Sequence, residues 1–78
     1  MTVRLFLKAN PKEIIYINGV LDSYEGSMGL MRTEDEQSGL LTVYTDESCE
    51  EALRALLDAL RQEGVALEIN ASDRLDEV

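Results

Sequence analysis

Residues 46–64, DESCEEALRALLDALRQEG, contain the most regular helical pattern in the chain, and the fold prediction starts from them. Asp46 or Ser48 suits the N-cap, Ser48 and Glu51 have the spacing of a capping box, and Gly64 suits the helix end. Apolar residues recur at three- and four-residue intervals, as they do on one face of an α-helix. The residues predicted to face the core are Cys49, Leu53, Leu56, Leu57 and Leu60.

Two short apolar segments precede this helix, and a third follows it. The segments 27–33 and 40–45 are joined by residues 34–39, EDEQSG, which are polar and end in glycine as a hairpin loop does. They are predicted to form two antiparallel strands, with a bulge or a close backbone contact at Gly29. The segment 65–70, VALEIN, alternates apolar and polar residues and predicts the last strand.

The N-terminal part of the chain predicts one further strand and one further helix. Residues 2–8, TVRLFLK, alternate in polarity and predict a half-buried strand. Asn10 and Pro11 suit the cap and the first turn of a helix, because asparagine caps well and proline needs no N–H donor there. Apolar residues then recur at helical spacing across residues 14–24 and predict a helix there. Its buried stripe is predicted to consist of Ile14, Ile17, Val20, Leu21 and Tyr24.

Ile15 and Gly19 lie one turn apart on this predicted helix and away from its apolar stripe. A glycine inside a helix costs up to about 1 kcal/mol relative to alanine. Two interpretations are open. Either these residues border a small core, or a second surface approaches closely at Gly19.

The order β-α-β-β-α-β predicts the fold class. With right-handed crossovers it gives an α+β fold, the ferredoxin-like βαββαβ two-layer sandwich, in which a four-stranded antiparallel sheet carries two helices on one face. A chain of 78 residues is the size of one domain, predicted to occupy residues 1–70. Residues 71–78, ASDRLDEV, show no sustained periodicity and predict a flexible acidic C-terminal tail.

The charge of the chain argues against several classes of partner. There are 16 acidic and 7 basic residues and no histidine, which gives a formal charge of −9. Such a surface repels phosphate backbones and anionic lipid headgroups, so neither nucleic acid nor a membrane is an expected partner. The apolar run near the N-terminus is too short for a signal peptide, and the single cysteine forms no internal disulfide. We therefore expect a cytoplasmic protein.

No pattern in the sequence indicates catalysis or a bound cofactor. Zinc sites need several histidines or cysteines, and calcium loops need oxygen ligands at regular spacing. The acidic clusters at 34–36 and 46–51 match neither pattern and predict a solvated surface. Cys49 lies among glutamates on the leucine stripe, which favours a small core residue over a reactive thiol. We expect a protein that is not an enzyme, with no catalytic residue and no metal or cofactor site.

The segment 26–29, GSMG, resembles the glycine-rich loops that bind phosphate only in composition. Those loops follow a strand and precede a helix, whose N-terminal N–H groups face the anion. Here a helix ends and a strand begins, and Asp22 and Glu25 add negative charge. Gly26 is therefore predicted to be the left-handed residue that ends the first helix, with ligand contact as the alternative.

The face of the sheet away from the helices is the strongest candidate for function. Phe6 on the first strand and Tyr44 on the third have the outward parity, which Leu40 shares. Met31, Met28 or both are expected there as well. Aromatic residues on these strands stack on bases in RNA-recognition domains, but the negative charge argues against RNA. We predict a homodimer formed through this face, with another protein or a small ligand trapped at the interface as alternatives.

Two resemblances accompany this interpretation. The chain resembles a family of short bacterial proteins of unknown function, in which a helix ends in an element like SYEG (23–26) and the next strand closes on a threonine such as Thr33. This resemblance implies no particular activity.

The segment 5–21, LFLKANPKEIIYINGVL, is similar to the first strand, loop and helix of ACT-type regulatory domains. That similarity implies a sensor of amino acids or other small metabolites, although the acidic residue and the glycine that flank the proline in ACT loops are missing here. The residues implied in such a ligand loop are Ala9, Asn10, Pro11, Gly26 and Gly29.

Overall fold

The computed structural model describes residues 1–24 and 28–75. Within these ranges the elements follow the predicted order βαββαβ, and a short 3-10 turn precedes each α-helix. No helix in the described part of the chain is long and apolar enough to cross a membrane. The strands are β1 (Thr2–Ala9), β2 (Leu30–Asp35), β3 (Leu40–Asp46) and β4 (Leu67–Leu75), and the helices are α1 (Ile14–Asp22) and α2 (Glu50–Gln62).

The four strands form one antiparallel sheet in the order β2-β3-β1-β4. The two central strands, β1 and β3, come from the two halves of the chain. This is the strand order of the ferredoxin-like fold, so the predicted α+β two-layer class is confirmed.

The core lies between the helices and one face of the sheet. Alternate residues of β1 point into it, and the apolar stripes of both helices cover them. Burying one leucine or isoleucine side chain stabilises the folded state by about 1.5–3 kcal/mol, so this cluster is the main source of stability. Its fully buried members are Val3, Leu5, Leu7, Ile17, Leu21, Leu41, Val43, Leu53 and Leu57.

The 3-10 turns that precede the two α-helices each begin at an Asx cap. Asn10 Oδ1 accepts a hydrogen bond from the Lys12 backbone N–H at 3.0 Å, as the cap prediction requires. Asp46 Oδ2 accepts one from the Ser48 backbone N–H at 2.9 Å, so Asp46 is the cap of the second helical segment. The capping box predicted for Ser48 was wrong, because α2 begins only at Glu50, after a 3-10 turn.

The first helix is shorter than predicted. It ends at Asp22, and Ser23 follows as its C-cap, with its hydroxyl donating to the Val20 carbonyl at 2.6 Å. Tyr24, which was predicted to lie on the buried stripe, is 41% exposed. The predicted C-cap, Gly26, lies outside the described residues.

The last strand is longer than predicted. A flexible tail was predicted from residue 71 onward, but residues 71–75 belong to β4. β4 stays paired with β1 along its whole length, and the register shifts by one residue where Leu7 pairs with Ile69 and Phe6 with Ala71. Asn70 is the extra residue. Because a bulge of one residue reverses which side chains face the core, the alternation of 65–69 does not continue into 71–75.

Glycines allow close backbone contacts at both ends of β2 and β3. A Cβ on Gly29, with φ 149°, would lie 2.9 Å from the Tyr44 carbonyl oxygen, which confirms the predicted close contact. The bulge lies elsewhere, between Thr33 and Asp35. Gly39 has φ 76° and packs against Ala9, whose backbone N–H donates to the Gly39 carbonyl at 2.8 Å.

Candidate interaction surface: the open face of the sheet

We call the side of the sheet that points away from the helices the open face. Its members follow from the register, because directly paired residues of an antiparallel ladder lie on the same face. Pairing of β1 with β3 places Arg4 beside Tyr44 and Lys8 beside Leu40. The open face comprises Arg4, Phe6 and Lys8 of β1, Leu40, Thr42 and Tyr44 of β3, Leu30, Arg32 and Asp35 of β2, and Glu68, Ala71 and Asp73 of β4.

The middle of the open face is apolar. Leu30 is 68% exposed and Leu40 is 40% exposed, while Phe6 and Tyr44 are half-buried between them. Thr42, which pairs with Phe6, is only 2% exposed, so larger side chains close over it. A shallow concavity of about 350 Å³ lies among these residues. The predicted outward placement of Phe6, Leu40 and Tyr44 is confirmed, whereas their role in an interface stays a prediction.

Arg4 organises one side of this surface. Its guanidinium carbon lies 4.9 Å from the centroid of the Phe6 ring, within the range of a cation–π contact. Its Nε donates to Asp73 Oδ1 at 3.0 Å, which joins the first strand to the last. This hydrogen bond lowers the pKa of the Asp73 carboxyl and raises that of the Arg4 guanidinium. The pair with Asp73 holds the Arg4 guanidinium over the Phe6 ring.

The prediction that Met31 lies on the open face was wrong. Met31 pairs with Val43 and therefore faces the helices, where it packs against the core as Met28 also does. The outward position belongs to Leu30, its neighbour, which pairs with Tyr44. The sequence left the register of β2 uncertain, and a shift of one residue exchanges the two faces of a strand.

A second concavity, of about 520 Å³, lies at the loop between β1 and α1. Ala9 is buried there, Pro11 is exposed, and the Asn10 side chain is engaged in the helix cap. Three of the residues from the implied ligand loop therefore border one depression. Its lining includes Lys8, Asn10, Pro11, Ser38 and Glu68.

Gly29, however, does not belong to this depression. It contacts Tyr44, which pairs with Arg4, and Arg4 lies five residues from Ala9 along β1. At about 3.4 Å per residue the separation is roughly 17 Å, so Gly29 lies at the opposite end of the sheet. The expectation that Gly29 admits a ligand at this loop was therefore wrong, and Gly26 lies outside the described residues.

An ion-pair cluster at the start of α2 involves a residue that the sequence had placed in the tail. Arg74 of β4 donates to Glu50 at 3.1 Å, and Arg54 donates to the same carboxylate at 2.9 Å. The hydrogen bond from Arg54, assisted by Arg74, lowers the pKa of Glu50. The alternating pattern that would have revealed Arg74 as a helix-facing strand residue is interrupted by the bulge. Cys49 is half-buried beside this cluster.

Among the described residues, no group of three or more histidine, cysteine, aspartate or glutamate side chains is arranged to hold a metal ion. The acidic residues 46 and 47 instead lie near the N-terminal amine, at 3.8 and 3.9 Å. These contacts are surface ion pairs, which each contribute little to stability.

The fold and the uncovered face together define a small ferredoxin-like α+β domain. The family model described as domain of unknown function DUF4911 matches residues 7–63, which is well over half of the chain. The chain therefore belongs to this family, and the predicted membership in a family of uncharacterised small proteins is confirmed. No curated protein and no solved structure matches the sequence. The match runs from Leu7, near the end of β1, to just past the end of α2, and it includes Leu40 and Tyr44 of the open face but not Phe6.

Proposed function

We propose that this protein is a non-catalytic interaction module that associates with a second copy of itself through the open face. The observation that carries the proposal is the apolar centre of a sheet face that the two helices leave uncovered. Antiparallel sheets that face water on one side normally alternate polar residues outward. Here Phe6, Leu30, Leu40 and Tyr44 occupy outward positions instead.

Apolar exposure on a small domain favours association. A side chain such as Leu30, at 68% exposure, contributes free energy when it is removed from water, at about 25 cal/mol per Å². The domain is also small, and small domains bury a low fraction of their own surface on folding. Contact with a second copy would cover the residues that the single chain leaves exposed.

The distribution of charge favours a second copy over an acidic or basic partner. Three of the seven basic residues lie on the open face, and each has an acidic neighbour there. Arg4 donates a hydrogen bond to Asp73, and the Arg32 side chain lies 3.7 Å from that of Glu34. Lys8 pairs in register with Glu68. The rest of the chain holds most of the negative charge and repels its own copy. Two open faces can meet without that repulsion.

The dimensions of the face limit the size of the contact. Four strands about 4.8 Å apart and about seven residues long give a face of roughly 15 by 23 Å. Two such faces bury about 700 Å² in total, which is less than a standard stable interface and is typical of a weak, reversible contact. We therefore expect a Kd on the order of 100 µM.

The experiment is sedimentation velocity across a concentration series, with two variants on the same strand. Leu30→Glu places a charge on the open face beside Tyr44, while Thr33→Glu places it on an exposed position of the opposite parity. Leu30→Glu is expected to abolish association through this face, and Thr33→Glu to leave it within a few-fold of the wild type. Equal effects of the two variants would contradict the proposal.

The concavity at the β1–α1 loop supports a second candidate, an ACT-like domain that senses an amino acid or another metabolite. Its support is the depression of about 520 Å³ beside Asn10 and Pro11. A ligand that binds the folded state raises the melting temperature in proportion to the logarithm of its concentration. A panel of amino acids and small metabolites at about millimolar concentration is the test. A shift that Ala66→Arg removes, by filling the depression, would support this candidate, and no shift across the panel would count against it.

A further inference from the structure

The outward side of α1 carries an unusual combination of side chains. Ile15 is 86% exposed, the most of any large apolar residue in the described chain, and Tyr16 beside it is 49% exposed. One turn after Ile15, a Cβ on Gly19 would have no atom within 4 Å apart from its chain neighbours and the backbone of its own helix. An exposed isoleucine thus stands next to an open notch in the helix surface. The chain's own packing requires neither residue, and both lower the intrinsic helix propensity.

The spacing of this stripe is that of a helix–helix seam. Lys12, Ile15, Gly19 and Asp22 follow one another at intervals of three, four and three residues, the a and d spacing of a coiled coil. All four residues are exposed, and the buried residues of α1, Ile14, Ile17 and Leu21, lie on the other side of the helix.

This stripe is complementary to itself when two copies run antiparallel. With a two-fold axis through position 17, each Ile15 faces the Gly19 of the second copy. The same register brings each Lys12 opposite the Asp22 of the second copy. Both contacts occur twice, as a two-fold symmetric interface requires. A protruding side chain meets a notch, and a cation meets an anion.

We infer that the outward side of α1 is a second self-association surface, which pairs with α1 of another copy in this antiparallel register. A second copy is the occupant because shape and charge match in the same register. The glycine lets the helix axes approach closely, since helix separation depends on the side chains at the contact.

This surface lies on the opposite layer of the sandwich from the open face, so the two contacts do not obstruct each other. A chain with two such surfaces forms species larger than a dimer. Blocking either surface alone leaves dimers through the other, and blocking both leaves monomers. The inference is therefore independent of the proposed function, and either can fail while the other stands.

The first test is Gly19→Leu, which fills the notch with a side chain that the folded chain itself can accommodate. In sedimentation velocity, Gly19→Leu is expected to remove the species larger than a dimer, while the diluted monomer melts no lower than the wild type. Gln37→Leu adds the same side chain to the exposed β2–β3 hairpin and serves as the matched control. Combined with Leu30→Glu, Gly19→Leu is expected to give monomers.

The second test addresses the charges. Lys12→Glu is expected to weaken the helix contact by about 3- to 10-fold in Kd, because the two-fold axis doubles a modest surface ion-pair effect. The exchange Lys12→Glu with Asp22→Lys restores the opposite-charge pairing and is expected to recover most of the affinity. A double variant no better than Lys12→Glu alone would contradict the register.

The third test traps the contact itself, with Cys49→Ser as the background. Proteins carrying Ile15→Cys and Gly19→Cys are oxidised separately and as a mixture. The register places position 15 near position 19 of the second copy, within reach of a disulfide, whereas two copies of either position lie too far apart. We expect the mixture to form the linked heterodimer in preference to either homodimer. No such preference, together with unchanged sedimentation of Gly19→Leu, would overturn the inference.

Discussion

Arg4 and Asp73 are 69 positions apart in sequence and joined by a hydrogen bond of 3.0 Å between Nε and Oδ1. The pair ties the first strand to the last on the open face and holds the guanidinium over Phe6. The pair depends on two features of the structure. The strand β4 continues past residue 70, and the open face carries paired charges beside the Phe6 ring. The predictions below test this arrangement and the packing that supports it.

The ion pair predicts a dependence of stability on pH. Its hydrogen bond lowers the folded-state pKa of Asp73 below the ordinary value of 3.8. A lowered carboxyl pKa contributes stability above the unfolded pKa, and this contribution is lost as the pH falls through the folded pKa. Urea unfolding of Asp73→Asn is expected to show a smaller loss of stability than the wild type as the pH falls below about 4. Glu63→Gln, at an exposed position, is the control, and identical pH profiles for Asp73→Asn and the wild type would contradict the prediction.

The bulge in β4 predicts that deletion and insertion of one residue at this place differ sharply. Deleting Asn70 removes the extra residue, so Ala71 still pairs with Phe6 and Asp73 keeps its face of the sheet. We expect this deletion to change the free energy of unfolding by less than about 1 kcal/mol. Inserting an alanine after Ala71 moves Asp73 and Arg74 to the opposite faces, and is expected to cost about 2–4 kcal/mol. Equal stabilities of the two variants in chemical denaturation would mean that the strand does not depend on this register.

Gly39 and Gly64 both have a positive φ but differ in the space around them. Replacing each with alanine distinguishes the cost of backbone strain from the cost of steric overlap. A Cβ on Gly39 would lie within 2 Å of the Ala9 carbonyl oxygen, whereas a Cβ on Gly64 would meet no atom within 4 Å. Gly64→Ala is therefore expected to cost about 1–2 kcal/mol, the strain of a left-handed alanine. Gly39→Ala carries the same strain and a backbone clash, so it is expected to destabilise clearly more, by thermal denaturation. The reverse order would contradict the packing of the hairpin against β1.

Two leucines of α2 that differ in burial test how much the core contributes to stability. Leu57 is fully buried, while its neighbour Leu56 is half-buried at the edge of the same cluster. Leu57→Ala is expected to cost about 2–5 kcal/mol because it leaves a cavity, and Leu56→Ala clearly less. A domain of this size has a total stability of roughly 4–12 kcal/mol, so Leu57→Ala is expected to remove a substantial part of it. Denaturant titration of both variants gives the comparison.

The elements that could be predicted from the sequence are those with an uninterrupted period. β1 alternates over its whole length, and α2 repeats leucine at helical spacing between an aspartate cap and a glycine stop. From these two elements and the polar hairpin, the order βαββαβ and the sheet topology follow. The outward placement of Phe6 and Tyr44 follows as well, since both lie on the two strands at the centre of the sheet.

The parts that were predicted wrongly depend on two bulges and on strand register. Asn70 adds one residue to β4 and reverses the parity of residues 71–75, so Arg74 faces α2 where a tail had been expected. In β2 the register is set by pairing with β3, and the sequence did not reveal whether Leu30 or Met31 faces outward. Such irregularities arise from contacts between strands, and a pattern within one strand does not encode them.

The central claim, that the open face is a self-association surface, is tested most directly by recording amide NMR spectra of the Gly19→Leu variant across a dilution series. This variant leaves the open face as the only proposed contact. Between about 1 mM and about 10 µM, a range that brackets a Kd of about 100 µM, we expect shifts at Phe6, Thr42 and Tyr44 and none at the core residue Leu53. Spectra that do not change with concentration, or changes confined to residues off the open face, would contradict the claim.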